Sequence, residues 1–446
     1  PGDFKIGKAK IRGAESFGMI CSERELGISE EHDGIMVLDS SCTVGAKIDT
    51  VLGETYDAID VEVTPDKAFA LSHRGIAREI AAMSGSKLKN PIEALKATSQ
   101  SNDVVKVILD KKGGCTRYIA GTMKNLTVGP SPKWLADYLK SVGQKSINNL
   151  VDISNFMLLE IGHPTHIFDL KKLSKPMIEV KWAKKGEKFD ALDEESYKLD
   201  TDHLIITDSV NTIALAGIIG GKDSAVSDTT TEVLIESAYF DPVVVRKGSK
   251  KLNLLSEASR RFERGADPEA VLEAFYMIVG LMSEVAGGTL ESLVTGESTI
   301  DPTLHKISLS EDKLLKYTGQ DINHKSVSSI LDGLHIRNKK SKTGWECVIP
   351  SFRHDVKHET DLIEEVLRCY GYENIKSSYS FSSQMQYAND AEQPLFELKQ
   401  HLSSLGFNQS YNNSLQDIEE VKVFGINPVS VMNPSSEKMN TLRTTL

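Results

Sequence analysis

The chain has 446 residues, 40% apolar and 26% charged, with a net charge of −11 at pH 7. That length exceeds one ordinary domain and predicts about three or four compact units, each with its own core. No run approaches the roughly eighteen apolar residues of a membrane span, and the acidic balance excludes a protein coated in positive charge for indiscriminate nucleic-acid binding.

Five cysteines, at positions 21, 42, 115, 347 and 369, show no Cys-x-x-Cys spacing and an odd total. Neither a disulfide framework nor a cysteine-bound zinc is expected, and a reducing, cytoplasmic setting fits. No secretory leader opens the sequence. With Pro1 rather than Met at the start and "NTLRTTL" at the end, it reads as a fragment truncated at both ends.

Residues 1–52 read as short strands broken by glycine, as in a small β-barrel, with "GIMVLD" the clearest strand. In "FKIGKAKIRG", Lys8, Lys10 and Arg12 alternate with apolar residues and would put three cations on one strand face. Over 53–103 the pattern predicts a connecting strand "DAIDVEV", a helix from about Ser72 to Met83 and a polar linker. The block 104–298 mixes helix and strand. Ser131-Pro132 opens a helix closed at Gly143, and a second helix runs from about Asn149 to Glu160. "HLIITD" and "TIALAGII" form a hairpin across "SVN", "EVLIES" is a strand, and a long helix covers Pro268 to about Val285. Over 303–378 a smaller helix-strand module is expected, with strands "KISLS" and "WECVIP", two helices between them and a third from near Asp361. A polar stretch precedes a last helix in 390–446.

Several constellations could carry chemistry. In "PSFRHDVKHETDLIEEVLRCYGYENI", Asp361, Glu364 and Glu365 stand at i, i+3 and i+4 on a helix, with Asp355 in the loop before it. These carboxylates could gather around a hard cation such as Mg²⁺; equally, Asp361 followed by Glu364 is a helix-capping arrangement. "GIIGGKDS" is too short for a phosphate loop, and Asp223 stands where Ser or Thr would hold Mg²⁺, so its glycines are expected to allow close backbone approach. His163 and His166 in "GHPTHIFD" lack a third ligand at zinc spacing; either could pack, stabilise a turn, or line a pocket as a hydrogen-bonding group or base. Glu236 lies in the apolar "EVLIESAYF", either on the exposed face of an edge strand or buried with a partner. Seven Lys or Arg between Arg246 and Arg264 face only Glu257 and Glu263, forming either an RNA-binding stretch or a solvated surface.

Six phrases occur in one order: "KAKIRGAESFGMICSERELGI", "SINNLVDISNFMLLEIGHPTHIFD", "ALAGIIGGKDSAV", "EVLIESAYFDP", "SRRFERGADP" and the acidic stretch from Pro350 to Ile375. Together they resemble the β subunit of bacterial phenylalanyl-tRNA synthetase, over essentially the whole chain. The resemblance implies an α+β multidomain protein. Residues 1–52 would be a partial tRNA-binding oligonucleotide-fold barrel, 53–103 the connecting strand, helix and linker, and 104–298 an editing module. Residues 303–378 would be a small module with the acidic helix, and 390–446 the start of a synthetase-like domain that is catalytically silent in this subunit.

The family's editing module hydrolyses tyrosine wrongly attached to the phenylalanine tRNA. The resemblance puts His166, Glu236, Ser256, Ala258, Gly217, Gly220 and Lys145 in that pocket, with Glu236 recognising the tyrosine hydroxyl and His166 positioning or deprotonating water. Asp355, Asp361, Glu364 and Glu365 match residues associated with Mg²⁺ shared with the α subunit. ATP chemistry would belong to that partner, within an α₂β₂ assembly that binds the phenylalanine tRNA and neither membrane nor DNA. His163 and Thr165 stand where the family more often has Gln and Met, Ser256 replaces Thr, and "TPDKAF" departs from Thr-Pro-Asn-Arg. Two other readings are a non-catalytic RNA-binding scaffold with a degenerate pocket and a metal-dependent hydrolase centred on the two histidines.

Overall fold

The computed structural model describes residues 7–11, 13–26, 34–38, 40, 42–48, 51, 58–89, 105–296, 304–377, 379, 382, 392–423 and 427–444. They fall into two compact units, 1–376 and 377–446. Ala9–Ile11 (β1) and Ala14–Ser16 (β2) pair as a short antiparallel ribbon, with Lys8 bonded to Glu15 at 2.9 Å. Arg12 lies outside the described residues, as do Asp39 of "GIMVLD", Asp57 of "DAIDVEV" and most of the expected linker. The described parts of those two stretches, 34–38 and 58–63, form no strand. Ile35 and Val37 are 57% and 83% exposed, and β-propensity without a pairing strand or an apolar surface to cover does not make a strand. No barrel is present among the described residues of 1–52.

His73–Ser84 (α1) begins where Ser72 Oγ accepts the Gly75 N–H and ends at Gly85, which takes the left-handed conformation at φ +67°. The large mixed region follows as Lys106–Leu109 (β3), Cys115–Lys124 (β4), Lys133–Ser141 (α2), Asn149–Ile161 (α3), Thr165–Asp169 (β5) and Met177–Trp182 (β6). After a hairpin of Lys188–Asp190 (β7) and Ser196–Lys198 (β8) come Leu204–Thr207 (β9), Thr212–Leu215 (β10), Ile219–Gly220 (β11) and Glu232–Phe240 (β12). Pro242–Leu252 (α4), Glu257–Phe262 (α5), Ala270–Val285 (α6) and Thr289–Thr295 (β13) close it. The β9–β10 hairpin pairs antiparallel, with a register shift between Thr212 and Ala214.

Two sheets result, one ordered β13-β4-β12-β5 and one ordered β11-β10-β9-β6-β3. Alternation along β12 divides the core. Val233 and Ile235, with Ile119, Met123 and Ile167, pack against Ile153 and Met157 of α3 and Phe275 and Ile278 of α6. Leu234, Ala238 and Phe240, with Tyr118 and Phe168, join Ile206, Ala214 and Leu215 of the second sheet. Burying each large apolar side chain contributes about 1.5–3 kcal/mol, so the first sheet is held on both faces. Glu236 lies on the face toward the second sheet, in a strand flanked by β4 and β5; it is on no exposed edge.

A smaller module follows: Lys306–Ser310 (β14), Glu311–Thr318 (α7), His324–Gly333 (α8), Arg337–Lys340 (β15), Gly344–Val348 (β16) and Glu359–Tyr370 (α9). Its sheet is ordered β14-β16-β15 over a core around Trp345, Leu331 and Val366. In the second unit, Gln393–Ser404 (α10) and Ile418–Lys422 (α11) accompany a two-stranded pairing of Leu415–Gln416 (β17) with Thr441–Leu442 (β18). All five cysteines are free, and no helix among the described residues is long and apolar enough to cross a membrane.

Candidate functional site

A cavity of about 510 Å³ opens where β5, the β9–β11 corner, one face of α3 and the short helix α5 meet, a volume in the range of small-molecule sites. Its wall is mostly apolar, with Val151, Leu158, Leu192, Ile206, Leu215 and Phe262 among the lining residues. Three titratable side chains interrupt it: Glu236, His166 and, at the rim, Glu257, which is paired with Arg261 at 2.6 Å. Glu236 and His166 are register partners on β12 and β5, and antiparallel pairing sends directly opposite side chains to the same face. Local strand pairing therefore brings together two residues seventy positions apart in sequence.

Glu236 is 6% exposed. Burial pushes its carboxyl up to about 7, against the pull of a hydrogen bond from Tyr118. Ala120 of β4 is opposite Glu236, so Tyr118, two residues along, shares that face; its Oη donates to Glu236 Oε2 at 2.5 Å. Oε1 has no hydrogen-bond partner among the described residues. His166 is lowered to about 4 by burial and is neutral at pH 7. Its Nε2 is buried without a partner among the described residues, and its ring stands edge-on to Phe168 at 4.5 Å.

Gly220 makes room for that ring: a Cβ there would come 2.4 Å from His166 Cε1 and 2.5 Å from Nε2. Gly217 adopts φ +68°, and a Cβ would press on Phe240 at 2.9 Å. Both glycines line the cavity and serve close approach. Ser256 also lines it, but its hydroxyl donates to the Ile218 carbonyl at 2.6 Å and accepts the Ser259 N–H at 3.0 Å as the N-cap of α5. Its proton is committed to holding the corner. Ala258 is half-buried on the wall. Lys145 is exposed and absent from the wall, whose nearest lining residue in sequence is Ile147; an ammonium is better solvated in water than against this apolar mouth. His163 is 1% exposed, packed edge-on to Phe262 at 6.2 Å and outside the wall. Tyr118 was invisible to sequence reasoning, because its partner lies 118 positions away and only the β4–β12 register reveals the pair.

The acidic set is arranged differently from its helical spacing. Arg353 grips Asp355 through two bonds of 2.9 and 2.6 Å and reaches Glu365 at 2.8 Å. Lys67 bonds both carboxylates, at 3.2 and 2.7 Å, and Arg368 links Glu365 to Glu79 at 2.7 and 2.5 Å. Burial alone would raise the Glu365 carboxyl, yet the guanidinium and ammonium neighbours hold it at about 2. Asp361 accepts the Lys357 and His358 N–H groups, both at 2.8 Å, as part of a capping box, and Glu364 is exposed. Among the described residues no group of three or more His, Cys, Asp or Glu is placed to hold a metal ion. The four carboxylates as they stand do not fit a shared Mg²⁺, because Lys67, Arg353 and Arg368 already neutralise Asp355 and Glu365, and Asp361 is engaged in capping its helix.

Residues 114–287 match the B3/4 domain model and residues 307–372 the tRNA synthetase B5 domain model. The chain is 37% identical to the phenylalanine–tRNA ligase beta subunit of Syntrophotalea carbinolica, and 37% identical to that of Fusobacterium nucleatum, each alignment covering 100% of the chain. The chain belongs to the phenylalanine–tRNA ligase beta-subunit family. It spans 57% and 56% of those two relatives' lengths, a little over half of each. The Geobacter sulfurreducens subunit is 39% identical over 85% of the chain and 47% of its own length. A solved N-terminal fragment of the phenylalanyl-tRNA synthetase beta subunit from Pyrococcus horikoshii is 20% identical, covering 69% of this chain and 85% of that one at a TM-score of 0.36.

Proposed function

We propose that this chain is the proofreading part of a phenylalanine–tRNA ligase beta subunit. In the cytoplasm, with an α subunit in an α₂β₂ assembly, it supports ATP-dependent attachment of phenylalanine to its tRNA. Its cavity hydrolyses tyrosine wrongly attached to that tRNA, while ATP, and the Mg²⁺ that accompanies it, act at the α subunit. The observation that carries this reading is a buried carboxylate, Glu236, in an apolar cavity beside the neutral imidazole of His166.

Tyrosine is phenylalanine plus one hydroxyl, an addition that an apolar synthetic pocket rejects only weakly. A second cavity with a buried acceptor reverses the preference: the tyrosine hydroxyl donates to Glu236, whereas phenylalanine leaves that carboxylate desolvated and short of a partner. A water oxygen then attacks the ester carbonyl carbon, the bond to the ribose oxygen breaks, and that oxygen takes up a proton, releasing tyrosine and tRNA. His166 Nε2 accepts a hydrogen bond from the water; with its pKa near 4 the ring orients the water more than it deprotonates it.

The test compares release of tyrosine and of phenylalanine from the phenylalanine tRNA by the complete ligase and its Glu236→Gln variant, with and without chelator. Selective, chelator-insensitive release of tyrosine that the variant loses supports the reading. A folded, tRNA-binding protein without hydrolysis would instead be a scaffold, and activity abolished by chelator would point to a metal-dependent hydrolase.

A further inference from the structure

We propose that Tyr118 is a positioning residue for tyrosine discrimination: its hydroxyl occupies one oxygen of Glu236 and thereby aims the other at the ligand. The proposal rests on the editing reading above. A glutamate carboxyl turns about a broad, roughly two-fold terminal torsion, so a lone carboxylate in an apolar hole has no fixed acceptor direction. Tyr118 removes that freedom. Its ring is 0% exposed on β4, which β12 and β13 flank, and its Oη lies 2.5 Å from Oε2. Oε1 is left as the acceptor, and the buried Nε2 of His166 has no partner, so the imidazole does not compete for it. One carboxylate then serves two phenols, an internal one held permanently by the fold and a second supplied by the ligand. A bound phenylalanine offers nothing to Oε1.

The titratable groups facing Glu236 are few. Tyr118 and Cys115 on β4 are pushed well above their usual range, by burial first and by the nearby Glu236 second. His166 on β5 is neutral, and Glu257 at the rim is bound to Arg261. The Tyr118 bond lowers the Glu236 pKa, so removing it raises the pH at which Glu236 becomes a full carboxylate acceptor.

The experiment uses the complete ligase as parent, Tyr118→Phe and Glu236→Gln, and measures hydrolysis of tyrosyl- and phenylalanyl-tRNA from pH 6 to 8.5 with spontaneous ester loss subtracted. Phe fills the same space as Tyr, so Tyr118→Phe is expected to fold. Its preference for tyrosine falls several-fold at pH 7, its pH midpoint moves above the parent's, and part of the preference stays lost at pH 8.5 because the ionised carboxylate is no longer aimed. Glu236→Gln gives a low preference at every pH. A parental preference and pH midpoint in Tyr118→Phe, with Glu236→Gln still defective, overturns the positioning role alone. Tyrosine preference retained in Glu236→Gln overturns the editing reading on which it rests.

Discussion

Replacing Glu236 by Gln should stabilise the fold in alkali and leave it unchanged in acid. Burial lifts this carboxyl from 4.5 to about 7 even though Tyr118 donates to it. A carboxyl whose folded pKa is raised keeps its proton longer in the folded chain than in the unfolded one. The stability carried by the neutral acid is therefore complete below pH 4.5, is lost as the pH rises through about 7, and stays lost above. At about 1.36 kcal/mol per pH unit, that interval amounts to about 3 kcal/mol. Gln keeps the volume and can still accept from Tyr118, but has no proton to lose. Hydrogen exchange of the β12 amides, which report opening of the central strand between β4 and β5, gives the local stability of parent and variant at pH 4 and pH 8. The variant should gain about 3 kcal/mol at pH 8 relative to its difference at pH 4. Equal differences at the two pH values would refute the idea that burial of Glu236 opposes folding.

Other outcomes follow from single contacts. Gly220→Ala would bring a methyl 2.4 Å from the His166 ring, displacing it; tyrosine release should fall by up to about 100-fold, as misplacing a catalytic group by about 1 Å costs, and the overpacking should cost about 1–3 kcal/mol of stability, read as a lower melting temperature. Arg353→Met leaves Asp355 and Glu365 buried without their main partner and should cost about 3–5 kcal/mol, read as a lower denaturation midpoint. In the parent, Glu365 contributes stability present above pH 4.5 and lost as the pH falls through about 2; in Arg353→Met acid unfolding should begin at higher pH. Arg260 is exposed and 3.6 Å from Glu257; Arg260→Ala should weaken tRNA binding and reduce its salt slope by about one, and unchanged binding would make this stretch a solvated surface.

The elements legible in the sequence were those whose signals are local. Ser72 and Gly85 bracket α1, Asn148 and Gly162 bracket α3, and Asp208, Ser209 and Asn211 in the four-residue turn between β9 and β10 mark their hairpin. β3 to β8, β13 and β15 were missed, as were α4 and α5: β4 is ten residues long but buried along both faces, so it shows no alternation, and most of the others are runs too short to carry a pattern of their own. Glu236 and His166 stood out as polar groups in apolar surroundings, yet Ser256 gave no sign that its hydroxyl holds a helix cap. The acidic helix was legible in part: the capping role of Asp361 could be read from spacing, the partners of Glu365 could not. Spacing grouped Asp361, Glu364 and Glu365, whereas Lys67, nearly 300 residues earlier, turns Glu365 into an interior ion pair and leaves Glu364 in solvent.

The twelve residues of α1 join two cores that share no sheet. At one end Ser72 packs beneath Gly162, where α3 closes, and a Cβ on that glycine would sit 3.1 Å from the serine Cβ. Near the other end Ala82 rests against Gly333 of α8, and Glu79 grips Arg368. Lys67, just ahead of the helix, enters the interior of the small module's charge network. Neither core can open without stripping a face from this strut, so heat should melt the region of the cavity and the small module in one transition. A protease cut within 58–89 would convert that single melt into two.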